Sequence, residues 1–178
     1  MKNVQVSDKF FSPYISEEEI IKEVKRVASA INSDLEGKSP VFLVILNGSF
    51  IFAADLLREI SIPCEIKFMR VASYEGTSST GNVKEILGLD ESIEGRTVVI
   101  VDDIIDSGTT MCELLKMLRE RNPADIRIAS LLVNPKNLKV KLDIDYRCFD
   151  IENDFIVGYG LDYNQEGRNL REIYKITD

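Results

Sequence analysis

The sequence predicts an α/β fold, an open, mostly parallel twisted sheet flanked by helices. Three observations predict it. Short apolar runs, VFLVIL at residues 41–46 and VVIV at 98–101, are bounded by turn residues and show no polar alternation, as strands buried on both faces do. Such runs alternate along the chain with amphipathic segments of helical period. No linker, internal repeat or low-complexity stretch interrupts the 178 residues, so one domain is expected over 1–178.

Taken in order, Ser16 with Glu19 three residues on forms a capping box, and Ile20, Val24, Val27, Ala28 and Ile31 share one face of the helix that follows. GKSP closes that helix. Residues 41–46 are a buried strand, NGS a turn, FIFAADLLREI a helix and EIKFMRVAS a strand. YEGTSSTGNVKE, residues 74–85, is small, polar and glycine-bearing, and reads either as a surface hairpin loop or as a lid. EGRTVVIV is a strand entered from a turn. Met111, Leu114, Leu115 and Leu118 then give the stripe of a helix packed on a sheet, ended by NPAD. IRIASLLV and DIDYRCF are strands, followed by DFIVGYGLDY.

Composition narrows the chemistry. A net charge of −8 argues against broad contact with nucleic-acid phosphates, although a local site can still hold a small phosphorylated ligand. The chain has no histidine, which removes imidazole bases, serine–histidine triads and HExxH metal sites together. Cys64, Cys112 and Cys148 are far apart, without CxxC spacing, and read as reduced thiols buried in the core. Neither a signal-peptide run nor a membrane-length apolar segment is present. A cytoplasmic protein without nucleic-acid or membrane partners is expected.

VVIVDDIIDSGTTM, residues 98–111, concentrates the chemistry. Open α/β sheets bind ligands at the carboxyl ends of their strands, where Asp102 and Asp103 fall. Ser107, Gly108, Thr109 and Thr110 open the next helix, so backbone N–H groups and hydroxyls form an anion cradle suited to phosphate. Carboxylates beside a phosphate repel it. They can instead accept from neutral hydroxyls, or hold Mg²⁺. A sugar phosphate satisfies both halves, with Asp106 placed to accept a proton. The Walker A pattern GxxxxGK[ST] is absent, and GYGLD lacks the third glycine of a dinucleotide site. A response-regulator-like acid cluster would put its acid pair near the start of the fold. Here three acids lie within five residues at mid-chain and share a phosphate loop.

These residues resemble the PRPP-binding signature of the type I phosphoribosyltransferases. LNGSFIFAADLL, VASYEGTSSTGNVK, IASLLV and FIVGYGLDYNQEGRNL extend the likeness, in order and spacing, to the hypoxanthine-guanine branch, from about Val41 to the end. The resemblance implies the type I phosphoribosyltransferase fold, with a small hood formed by N- and C-terminal segments. It implies transfer of ribose 5-phosphate from PRPP to hypoxanthine or guanine, giving IMP or GMP and pyrophosphate, with Mg²⁺. Asp102 and Asp103 would hold the ribose hydroxyls and bear on the metal. Asp106 would manage a proton near N7 of the base, and residues 106–110 would surround the 5′-phosphate. Asn47, Gly48, Ser73, Tyr74 and Arg168 would face pyrophosphate, with a cis Leu46–Asn47 peptide. Phe155 would stack on the purine and Ile156 would present backbone to its edge. Asp162 would ligate Mg²⁺ carried by pyrophosphate and border the base. A homodimer or homotetramer is implied.

Three positions depart from the family pattern. Asp102–Asp103 stands for the usual Glu-Asp, and both accept hydroxyl donors. Asn47 replaces a lysine, removing a positive charge near pyrophosphate. Asn134 stands where a lysine usually donates to the purine 6-oxo group, and an amide can donate or accept. Lys136, two residues on, is the alternative donor. A phosphoribosyltransferase acting on xanthine or adenine, and a non-catalytic PRPP-sensing regulator, are the alternative readings.

Overall fold

A computed structural model of the chain describes residues 2–72, 84–87 and 92–177. Helix α1 (Glu17–Asp34) starts at the predicted capping box. The Ser16 hydroxyl accepts from the Glu19 N–H, and the Glu19 side chain accepts from the Ser16 N–H. Strand β3 (Val41–Leu46), α2 (Phe50–Arg58), β4 (Glu65–Ala72), β6 (Thr97–Ile105), α3 (Thr109–Arg119), β7 (Asp125–Val133) and β8 (Tyr146–Asp150) follow the expected alternation. With β5 (Lys84–Leu87) at the edge they form a six-stranded sheet of order β5-β4-β3-β6-β7-β8. Only the β4–β5 pairing is antiparallel.

Residue alternation on the strands decides which helix covers which face. Phe42, Val44, Val99 and Val101 pack with α1 and α2 through Ile20, Val24, Val27, Phe52 and Leu56. Leu43, Ile45, Val98 and Ile100 point the other way, onto Met111, Leu114, Leu115 and Leu118 of α3. This is the stripe that the sequence assigned to a sheet-facing helix. Residues buried on both faces leave no room for polar alternation, which is why these strands read as continuous apolar runs.

The hood is a second sheet, antiparallel, of order β1-β2-β10-β9, built from β1 (Val4–Val6), β2 (Lys9–Ile15), β9 (Ile156–Val157) and β10 (Ile173–Thr177). Its own small core holds Val6, Phe11, Val157 and Tyr174. The Tyr159 hydroxyl donates to Asp55 of α2 at 2.6 Å and anchors the hood to the main sheet. Among the described residues, no helix is long and apolar enough to cross a membrane. Cys64, Cys112 and Cys148 are free thiols, but all three are half-buried rather than enclosed in the core.

Candidate active site

The strand order reverses between β3 and β6, and in open α/β sheets the crevice beyond such a switch point receives the ligand. The ends of both strands carry predicted site residues. β6 runs on through Asp102 and Asp103 to Ile105, paired with β7, so the acids sit within the strand rather than beyond its end. The Asp103 N–H donates to Asp102 Oδ1 at 3.1 Å, and the Ile104 N–H donates to Asp103 Oδ1 at 2.9 Å. Burial pushes both carboxyls above the usual carboxylate range, and the adjacent Asp103 charge adds to the effect on Asp102. For Asp103 the Arg168 guanidinium acts in the opposite direction.

Residues 106–110 turn from β6 into α3. Gly108 is the N-cap at φ 77°, in the left-handed region that glycine enters without penalty. The first turn of α3 has no acidic residue and its N-cap Gly108 supplies no capping side chain; the Thr109 N–H donates to Ser107 Oγ at 3.4 Å, and the N–H groups that follow, with the positive end of the dipole, face an anion site. The Ser107 and Thr109 hydroxyls lie 3.2 Å apart at the same point. Asp106, Thr109 and Thr110 are exposed and Ser107 is half-exposed, as a binding loop requires.

Across the crevice the Leu46–Asn47 peptide is cis, as the resemblance implies. Asn47 is exposed and Gly48 buried. A Cβ on Gly48 would lie 1.7 Å from Asp103 Oδ2, and one on Gly160 would lie 2.0 Å from the Gly48 carbonyl oxygen. Two loops and a carboxylate therefore touch where only glycine fits. Arg168 donates through Nη1 to the Gly160 carbonyl at 2.9 Å and pairs through Nη2 with Asp162 Oδ1 at 2.8 Å. Asn47, Gly48, Asp162 and Arg168 thus gather beside Asp103. Ser73, and residues 74–83 of the expected lid at 74–85, Tyr74 among them, lie outside the described residues.

A cavity of about 350 Å³ opens at the ends of β6 and β7, lined by Ile104, Asp106, Asn134, Ile151, Glu152, Asn153, Asp154, Phe155, Ile156 and Leu161. Asp106, Asn134, Phe155 and Ile156 were all expected at the base and all line it. Phe155 is 47% exposed, an aromatic face open to a planar ligand. Tyr163, edge-on at 5.6 Å, and Phe11, at 6.3 Å, back it from the hood. Asp162 is not among the lining residues. Arg168 holds one of its oxygens, and the Gln165 N–H donates to the other at 2.9 Å, so Asp162 stands beside Arg168.

Asn134 is 2% exposed and spends its amide inside the protein. Nδ2 donates to Asp106 Oδ1 at 2.9 Å and to Asn153 Oδ1 at 2.6 Å, while Oδ1 is buried and has no partner among the described residues. The alternative donor Lys136 is exposed and does not line the cavity; its ammonium is ion-paired with Glu152, which does. Sequence reasoning missed Asn137 and Asn153. Asn137 donates through Nδ2 to Asp106 Oδ2 at 2.9 Å. The NPKN turn after β7 is the signal that could have found it, since a turn can bring residues three apart onto one side.

Fold and site together define a type I phosphoribosyltransferase: a switch-point crevice with a phosphate loop, a carboxylate pair and a hood-covered cavity. Residues 14–164 match the phosphoribosyl transferase domain, and the chain belongs to that family. It is 44% identical over 156 residues to the hypoxanthine-guanine phosphoribosyltransferase of Streptococcus agalactiae, covering 87% of each chain. The Streptococcus pneumoniae enzyme of the same name is 41% identical over 157 residues, 88% of this chain and 87% of that one. Among solved structures, the hypoxanthine-guanine phosphoribosyltransferase of Bacillus anthracis, with a HEPES molecule in its active site, superposes with a TM-score of 0.88 at 39% identity, covering 94% and 97% of the two chains. The Trypanosoma cruzi hypoxanthine phosphoribosyltransferase superposes with a TM-score of 0.89 at 34% identity, over 98% and 95%.

Proposed function

We propose that this chain transfers ribose 5-phosphate from PRPP to hypoxanthine or guanine, forming IMP or GMP and pyrophosphate in purine salvage. One observation carries the reading: Asp106 belongs both to the loop at the start of α3 and to the wall of the aromatic cavity. A ligand with its phosphate on residues 107–110 and its base against Phe155 has its glycosidic bond between the two. Asp102 and Asp103 then accept from the ribose hydroxyls. Asn47, Gly48 and Arg168 meet the pyrophosphate, and Asp106 receives the proton that the purine ring nitrogen gives up as the new bond forms. Departure of pyrophosphate leaves positive charge on the sugar, which a crevice lined with carboxylates tolerates.

The donor set fits Mg²⁺. Among the described residues, no three acidic or cysteine side chains gather as a self-contained metal site. Mg²⁺ characteristically takes one or two carboxylates and completes its shell with water and substrate phosphates. Asp102, Asp103 and Asp162 are the available hard-oxygen ligands. When bound, the ion neutralises charge on the leaving pyrophosphate.

A homodimer or homotetramer is part of the same reading. Ile66 and Phe68, side by side on one face of β4, are 47% and 49% exposed and supply an apolar surface for it. Sedimentation at a mass of 20.1 kDa would contradict that part.

The test of the reaction is a purine panel with PRPP and Mg²⁺, following nucleotide formation. Hypoxanthine and guanine are expected to turn over, and Asp106→Asn to lower kcat by about 10²–10⁴-fold, the usual range for a proton-transfer group. Turnover of adenine or a pyrimidine but neither oxopurine would overturn the assignment.

A further inference from the structure

We propose that Asn134 and Asn137 are positioning residues, a pair of amides that fix the carboxylate of Asp106 for its reaction. The inference rests on the role given to Asp106 above. Asp106 is an exposed side chain on a turn, free to rotate unless something holds it. Each of its oxygens accepts one amide: Oδ1 from Asn134 Nδ2 and Oδ2 from Asn137 Nδ2, both at 2.9 Å. Two donors on two oxygens fix both the position and the plane of the carboxylate, and each oxygen keeps a lone-pair site for the base.

Both amides come from one turn. The Asn137 N–H donates to the Asn134 carbonyl at 3.2 Å. That turn is tied by backbone to the chain on either side of Asp106: the Asn134 N–H to the Ile105 carbonyl at 2.9 Å, and the Lys139 N–H to the Ser107 carbonyl at 3.0 Å. Beyond it, Leu138 and Val140 close on Gly108, where an added Cβ would come within 3.1 and 3.0 Å of them. The segment after β7 is thus fastened to the phosphate loop, and any movement of one moves the other.

The amide orientation of Asn134 is also fixed. Turned over, its oxygen would face the Asp106 carboxylate, acceptor against acceptor, and its second donation to Asn153 Oδ1 would be lost. Its two donations, to Asp106 Oδ1 and Asn153 Oδ1, therefore define the amide's orientation. Lys136, between the two asparagines, is ion-paired with Glu152, so the donors that reach Asp106 from this turn are the two neutral amides.

Steady-state kinetics on four variants test this. Asn137 is only half-buried, so its variants are expected to fold, with Tm confirming it. Asn137→Ala should lower kcat about tenfold, the value of one well-placed hydrogen bond, with KM for PRPP and hypoxanthine within about twofold of the parent. Asn137→Asp has the same shape but sets an acceptor against Asp106, and should lower kcat further. Asn137→Gln, which keeps the amide, should recover most of the loss. A merely structural role would lower Tm and leave kcat alone. The proposal is overturned if Asn137→Ala and Asn137→Asp keep kcat within about twofold of the parent while Asp106→Asn is impaired. If Asp106→Asn is itself unimpaired, the role of Asp106 fails and the positioning role fails with it.

Discussion

Asp102 and Asp103 are held in the ligand-free fold at a cost. Both carboxyls are lifted above their usual range by burial, and Asp102 further by its neighbour's charge. A carboxyl that binds its proton more tightly in the folded chain than in the unfolded one loses stability as pH rises, from about 4 through the folded value. Asp102→Asn removes the charge and the repulsion while keeping the shape. The ligand-free variant is expected to exceed the parent by an amount of order 1 kcal/mol near neutral pH, roughly 2–4 °C in Tm, with the gap shrinking toward pH 4. Thermal scans across pH would show it, and a gap that widened toward acid would contradict it. Phe155 makes a second prediction at this scale. Its half-exposed ring faces the cavity, so Phe155→Ala should raise KM for the base about tenfold with a smaller change in kcat. Both acids and Phe155 were legible in the sequence because they stand at fixed distances from a recognisable loop. Asn137 and Asn153 were not, since each owes its place to a partner 19 or more residues away, Asp106 or Asn134.

The elements differ in how far their own sequence determines them. α1 carries its start signal within four residues, and the structure places both bonds of the capping box there. Ser16→Ala removes the side-chain half of that box and is expected to cost about 1 kcal/mol of stability, read as a lower midpoint in urea at unchanged slope. β3 and the first part of β6, residues 98–101, were legible as unbroken apolar runs because both their faces are covered. The hood strands were not. β2 reads KFFSPYI, with Pro13 inside it, and its pairing depends on β10, some 160 residues further on. The GYG and LNG motifs lie between these cases. Their glycines were visible, but their contact with each other was not. Gly160→Ala would drive its Cβ to 2.0 Å from the Gly48 carbonyl, at a φ of +102° that alanine resists. It is expected to separate the two loops and raise KM for PRPP more than KM for the base, measured by varying each substrate in turn.

At the scale of the molecule, a chain of net charge −8 is proposed to bind a heavily phosphorylated sugar. Local geometry resolves the conflict. On the proposed reading the start of α3, whose first turn has no acidic residue, would meet the phosphate, Arg168 would stand on the other side of the crevice, and the acids between them would face hydroxyls and Mg²⁺. All of this lies where the strand order reverses between β3 and β6, with β2 bringing Phe11, and the loop between β9 and β10 bringing Tyr163, against Phe155. The measurement that tests the arrangement most directly is a crystal structure with inosine 5′-monophosphate bound. The account predicts the phosphate within hydrogen-bond distance of residues 107–110, the ribose hydroxyls on Asp102 and Asp103, and the hypoxanthine ring against Phe155 with N7 toward Asp106. A nucleotide seated anywhere else, with that loop left empty, would contradict it.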